Sequence, residues 1–138
     1  MIDFSGELGA RAQERLTSEL VIWLTSVTAS GMPQPHPVWF LWDNDTFLIY
    51  SQPTAKKLVH IAHNPQVALH FNGTPDGDDI QVFLASATID RSPTPARDVD
   101  AYHAKYRAAI SDIGMTPETF SASYNVLIRA VPTRLRGI

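Results

Sequence analysis

Cysteine is absent from the chain, which removes disulfide frameworks, thiolate metal sites and cysteine nucleophiles at once. No apolar run approaches bilayer length. The polar start MIDFSGELGARAQERL lacks the basic head and apolar core of a signal peptide, so a cytoplasmic protein without membrane contact is expected. Charged residues are sparse at 18 %, and the formal net charge is -3. The basic residues are dispersed, with short clusters only at Lys56-Lys57 and among Arg129, Arg134 and Arg136, which argues against a nucleic-acid partner.

Several chemical signatures are missing too. There is no Gly-x-Gly-x-x-Gly fingerprint, no phosphate loop ending in Gly-Lys-Ser or Gly-Lys-Thr, no Gly-x-Ser-x-Gly elbow and no His-Glu-x-x-His. The transition-metal ligands available are His36, His60, His63, His70 and His103. His60 and His63 lie three apart, but catalytic zinc generally takes three protein ligands, so no metal is assigned. Asp76, Asp78 and Asp79 share a turn with Gly77, without the following glutamate of a calcium loop, and read as solubilising.

What is present is ordinary globular material. At 138 residues and 44 % apolar content, one domain over residues 1–138 can bury a real core. Leu8, Ala12 and Leu16 recur at helical spacing, predicting a helix over 6–17. LVIWLTSVT from 20 and PQPHPVWFLWD from 33 predict a hairpin, and Asp43-Asn44-Asp45 turns the chain into TFLIYS. A helix over about 54–63 follows, then strands at QVALHFN and at 80–90, helical segments after Pro95 and at Thr116-Pro117, and a last strand from about 123 to 131 or beyond. These elements predict a mainly β protein with flanking helices: a six-stranded antiparallel barrel. VWFLW at 38–42 is apolar at both parities, so both faces of that strand need cover from the barrel interior and from a helix, a ligand or a second subunit.

Lys56 and Lys57 stand out because they occupy the first turn of the predicted 54–63 helix, with Thr54 as its expected N-cap. The helix dipole is positive there, so the lysines are unfavourable unless an anion joins them. Free backbone N–H groups, the two ammonium groups and the hydroxyls of Ser51 and Thr54 would suit phosphate or carboxylate. Trp39, Trp42 and Tyr50 could line an apolar slot for a flat ring beside that anion site. The opposing reading leaves the lysines solvated and the aromatics as core.

A hairpin with an aromatic second strand, a third strand ending in Tyr-Ser, then Thr-Ala-Lys-Lys-Leu and Asn-Pro-Gln-Val-Ala-Leu, resembles the pyridoxamine 5′-phosphate oxidase-like superfamily of FMN-binding split β-barrels. The likeness runs from residue 23 to the ending PTRLRG and is greatest to the F420-dependent oxidoreductase branch. It implies a homodimer with cofactor at the subunit interface. It also implies that Lys56 and Lys57 bind the cofactor phosphate with Ser51, Thr54 and Ala55, while Pro37, Val38 and Trp39 run along the ring. One of Arg129, Arg134 and Arg136 would assist from the partner subunit. The Arg-x-x-x-Leu-Lys strand of true pyridoxamine phosphate oxidases is replaced by HPVWFLW, so the vitamin B6 reaction is not expected. The expected activity is hydride transfer between F420, or alternatively FMN, and a small conjugated organic substrate, with no catalytic acid or base assigned. The competing function is a carrier that binds flavin, F420 or a haem-related tetrapyrrole without turnover.

Overall fold

Short polar turns between β-branched runs build the sheet chiefly from hairpins. The computed structural model describes residues 2–138. Helix α1 (Gly6–Ser18) precedes β1 (Val21–Val27), β2 (Pro33–Trp39), β3 (Leu41–Asp43) and β4 (Thr46–Ser51). Then come α2 (Lys56–His63), β5 (Gln66–His70), β6 (Gln81–Asp90), α3 (Asp100–Asp112), α4 (Pro117–Ser123) and β7 (Val126–Gly137). The strands form one antiparallel sheet in the order β2-β1-β5-β6-β7-β4-β3, curled so that β2 approaches β4. No helix among the described residues is long and apolar enough to cross a membrane.

Local chemistry accounts for much of this. Asn44 and Asp45 both take positive φ, 52° and 57°, in the two-residue turn joining β3 to β4; Asn and Asp tolerate that conformation better than most side chains. Thr116 caps α4 by accepting from the Thr119 N–H, with Thr119 reciprocating and Pro117 at the first helical position. The β6–β7 register slips between Leu84 and Ala85, where Pro132 lies opposite Ala85 and has no N–H to donate. Gly9 sits inside α1 because the Phe4 backbone passes so close that a Cβ there would lie 2.2 Å from its carbonyl carbon.

Among the described residues there are seven strands rather than the expected six, because the long second strand is broken at Phe40 into β2 and β3. These two strands are the opposite edges of the sheet, and a single residue carries the chain between them. No ladder is available to Phe40, so α3 supplies its partners. The Tyr106 hydroxyl accepts from the Phe40 N–H at 2.8 Å and donates to the Leu20 carbonyl at 2.6 Å. The Lys105 ammonium donates to the Phe40 carbonyl at 2.8 Å and lies 3.7 Å from the centre of its ring. Residues in VWFLW alternate between two cores. Val38, Phe40 and Trp42 join the barrel interior, whereas Trp39 and Leu41 join a cluster with Tyr102, Tyr106 and Phe120 from α3 and α4. Helices therefore cover the second face of the strand.

Arg15 ties α1 to the β5–β6 connection. Its side chain is buried and donates to the Gln81 side chain at 2.7 Å and to the carbonyls of Asn72 and Asp79 at 2.7 and 3.0 Å. Its guanidinium also lies 4.8 Å from the centre of the Phe71 ring. Arg11 grips the Asp79 carboxylate with two bonds of 3.0 and 2.9 Å, and this pairing holds the carboxyl well below the usual range.

Candidate functional site

The end of β4 passes into α2 through Gln52, Pro53, Thr54 and Ala55. Ala55, rather than the expected Thr54, occupies the N-cap, and its N–H donates to the Gln52 carbonyl at 3.2 Å. Alanine has no oxygen with which to cap, so α2 begins without a side-chain cap and without an acid in its first turn. Thr54 is exposed one position outside the helix. The Ser51 hydroxyl is buried and donates to the Gln52 carbonyl at 2.9 Å.

The two lysines differ. Lys56 points into solvent, whereas Lys57 is half-buried, and burial pushes its ammonium below the ordinary lysine range. No carboxylate lies within salt-bridge distance of Lys57 among the described residues. A partly desolvated cation at an uncapped helix start is a strong attractor for an anion.

Lys57 opens onto a recess of about 290 Å³. Pro37, Val38 and Trp39 of β2 form one wall, and Tyr50 of β4, Gln52 and Ala55 complete the side nearest α2. The rest of the lining comes from far along the chain: Tyr102, Ile113, Phe120 and Tyr124. Trp39 is held there by stacking, 4.7 Å from Tyr106 with planes 8° apart and 5.6 Å from Phe120; Phe120 in turn stacks 4.5 Å from Tyr124. The recess therefore has an ammonium at one side and a fixed aromatic wall at another.

Of the residues expected at a cofactor site, the recess brings together Pro37, Val38, Trp39, Ala55 and Lys57. Ser51, Thr54 and Lys56 are not among its lining residues. Trp42 leaves the expected slot, because its position in the alternation turns it to the barrel side, 4.8 Å from Phe47 and edge-on to Phe4. Tyr50 lines the recess, yet its hydroxyl donates to the Thr94 carbonyl at 2.7 Å, and burial raises its pKa. No histidine lines the recess, and His36 is exposed on β2. Arg129 is paired with Asp90 at 2.8 Å, while Arg134 and Arg136 are exposed on β7. No group of three or more potential metal ligands occurs among the described residues.

A helix was among the covers expected for VWFLW, but Tyr102, Ile113, Phe120 and Tyr124 were not expected to line a site. The one local signal for this part of the lining is the pair Tyr102 and Tyr106, four apart and so on one side of α3.

Comparison with known proteins supplies context for this geometry. A family model described as pyridoxamine 5′-phosphate oxidase matches residues 8–137. No curated protein shows significant sequence similarity to the chain. Among solved structures, an F420 reductase superposes with a TM-score of 0.69 at 24 % identity, covering 90 % of this chain and 94 % of that one. A Listeria innocua protein assigned to the pyridoxamine 5′-phosphate oxidases gives 0.68 at 19 % identity, covering 94 % and 97 %. HutZ, the haem storage protein of Vibrio cholerae, gives 0.67 at 16 % identity, covering 96 % and 95 %. At such identities these likenesses concern the fold.

Proposed function

Since the chain belongs to the pyridoxamine 5′-phosphate oxidase-like split-barrel superfamily, we propose that it is an oxidoreductase using F420, with FMN as the alternative, and a small conjugated organic substrate. The observation that carries this reading is the unpaired, half-buried Lys57 at the edge of an aromatic-walled recess. That donor set fits a phosphate-bearing flat cofactor: Lys57 and the N–H groups of the first turn of α2 would hold the anion, with exposed Lys56 adding longer-range attraction. Backbone groups of Pro37, Val38 and Trp39 would run beside the ring. The bound cofactor would supply the hydride chemistry. The protein's part is to fix orientation and exclude water, which the stacked Trp39, Phe120 and Tyr124 are built to do.

A second copy of the chain is proposed to cover the open side of the recess, where Ile113 is 53 % exposed at the rim. Purified protein is expected to be dimeric by light scattering. It should bind F420 or FMN stoichiometrically at low salt and oxidise the reduced cofactor through many turnovers with an enone or quinone. Failure to bind either cofactor sinks the reading, and a single turnover assigns the protein to cofactor carriage.

A further inference from the structure

One buried polar group in this wall has nothing to do. The Tyr102 side chain is 1 % exposed, and its hydroxyl is shut off from solvent without a hydrogen-bond partner, the lone side-chain atom of that kind among the described residues. Buried phenols normally find a partner, because an unpaired one loses its water contacts and regains nothing. Two neighbouring phenols are already committed, Tyr106 to Leu20 and Phe40 and Tyr50 to Thr94, while Tyr124 is partly exposed to solvent. Tyr102 lines the recess, edge-on to Tyr50 at 5.0 Å. Burial, reinforced by Tyr106, Tyr50 and Tyr124, raises its pKa strongly, so it remains a neutral O–H donor at any ordinary pH.

We propose that Tyr102 is the specificity contact of the recess, donating a hydrogen bond to a carbonyl oxygen on the planar organic substrate whose ring rests against Trp39 and Phe120. The assignment rests on the oxidoreductase reading and narrows its substrate to planar compounds bearing a conjugated carbonyl. Tyr102 enters from α3, whereas the cationic side of the recess belongs to α2, so the phenol addresses the molecule being reduced rather than the cofactor's anion. Its oxygen is occluded in the free protein, so the rings around it must shift when an acceptor binds. A site built this way favours a ligand that carries the acceptor over one of the same shape that lacks it, because only the former gives the phenol a partner.

The test compares 2-acetylnaphthalene with 2-ethylnaphthalene, alike in shape except for the carbonyl, by calorimetric titration of the wild-type protein and of Tyr102→Phe. Wild type should prefer the ketone by roughly tenfold. Tyr102→Phe should erase that preference through weaker ketone binding, leave the hydrocarbon's affinity unchanged, and melt no lower than wild type because no native hydrogen bond is lost. Equal binding of the two ligands by wild type overturns the proposal, and that arm needs no variant. A preference that survives in Tyr102→Phe also overturns it, as does a loss of F420 or FMN affinity in that variant as large as the loss for the ketone. Absence of cofactor binding in wild type, with the ketone preference intact, would instead refute the oxidoreductase reading alone.

Discussion

Replacing each lysine of the α2 start by methionine separates two roles that adjacent identical residues would otherwise share. Lys57 is half-buried and unpaired beside the recess, whereas Lys56 is solvated. If Lys57 makes one charge-assisted hydrogen bond to a cofactor phosphate, its loss removes about 1.5–3 kcal/mol, or roughly 10- to 150-fold in dissociation constant. Lys56, acting across water, is limited to about 1 kcal/mol, roughly fivefold, and that share disappears in high salt. Stability should move the opposite way. Without ligand, the Lys57 ammonium is disfavoured by burial and by the helix dipole, so Lys57→Met should raise the melting temperature of the cofactor-free protein while weakening the complex. Cofactor titrations by absorbance at low and high salt, paired with melts of the free protein, measure both quantities. Equal affinity losses in the two variants would refute the reasoning. So would a Lys57→Met protein that melts lower yet binds normally, since that pattern belongs to a structural lysine.

Two further expectations concern the framework. Arg15→Met strands the acceptors of Gln81, Asn72 and Asp79, and should cost about 3–5 kcal/mol in urea unfolding with an unchanged m-value; Arg11→Met, at a side chain 42 % exposed, should cost far less than Arg15→Met. Burial lowers the Lys105 ammonium to about 8, partly opposed by Glu19, so carbon-13 NMR of reductively methylated protein should show one lysine titrating near there. Below that pH both folded and unfolded chains hold the proton; between about 8 and the ordinary value of 10.5 the unfolded chain binds more protons, so this group's contribution to stability rises with pH across that window. A Lys105 resonance titrating above pH 10 would contradict the desolvation.

Much of the fold was legible because its signals are local. Asn44-Asp45 specified a tight hairpin, and Thr116-Pro117 marked the start of a helix, since turn and cap chemistry act within a few residues. The doubly apolar VWFLW correctly demanded cover on both faces. It did not reveal the break at Phe40, because alternation continues undisturbed from β2 into β3 while the strands change edges. The same alternation already put Trp39 and Trp42 on opposite faces, so a single ring slot could not have held both. The lysine pair was visible through its conflict with the helix dipole, but the difference between Lys56 and Lys57 depends on helix phase and on which wall the helix meets. Tyr102, Phe120 and Tyr124 were out of reach as site residues, because they meet Trp39 across more than sixty positions of chain through tertiary packing.

Phe40 gives the sheet an unusual seam. Its peptide groups are fastened by Tyr106 and Lys105, and the next turn of the same helix carries Tyr102 at the floor of the recess. One helix therefore latches the Phe40 seam between the two edge strands and lines the recess. An outward breath of α3 would unlatch the Phe40 amide and slacken the Trp39 stack in a single movement, while a molecule wedged against that stack would hold the latch shut. The exchange rate of one main-chain proton, the Phe40 N–H, thus becomes a gauge of whether the cavity is filled.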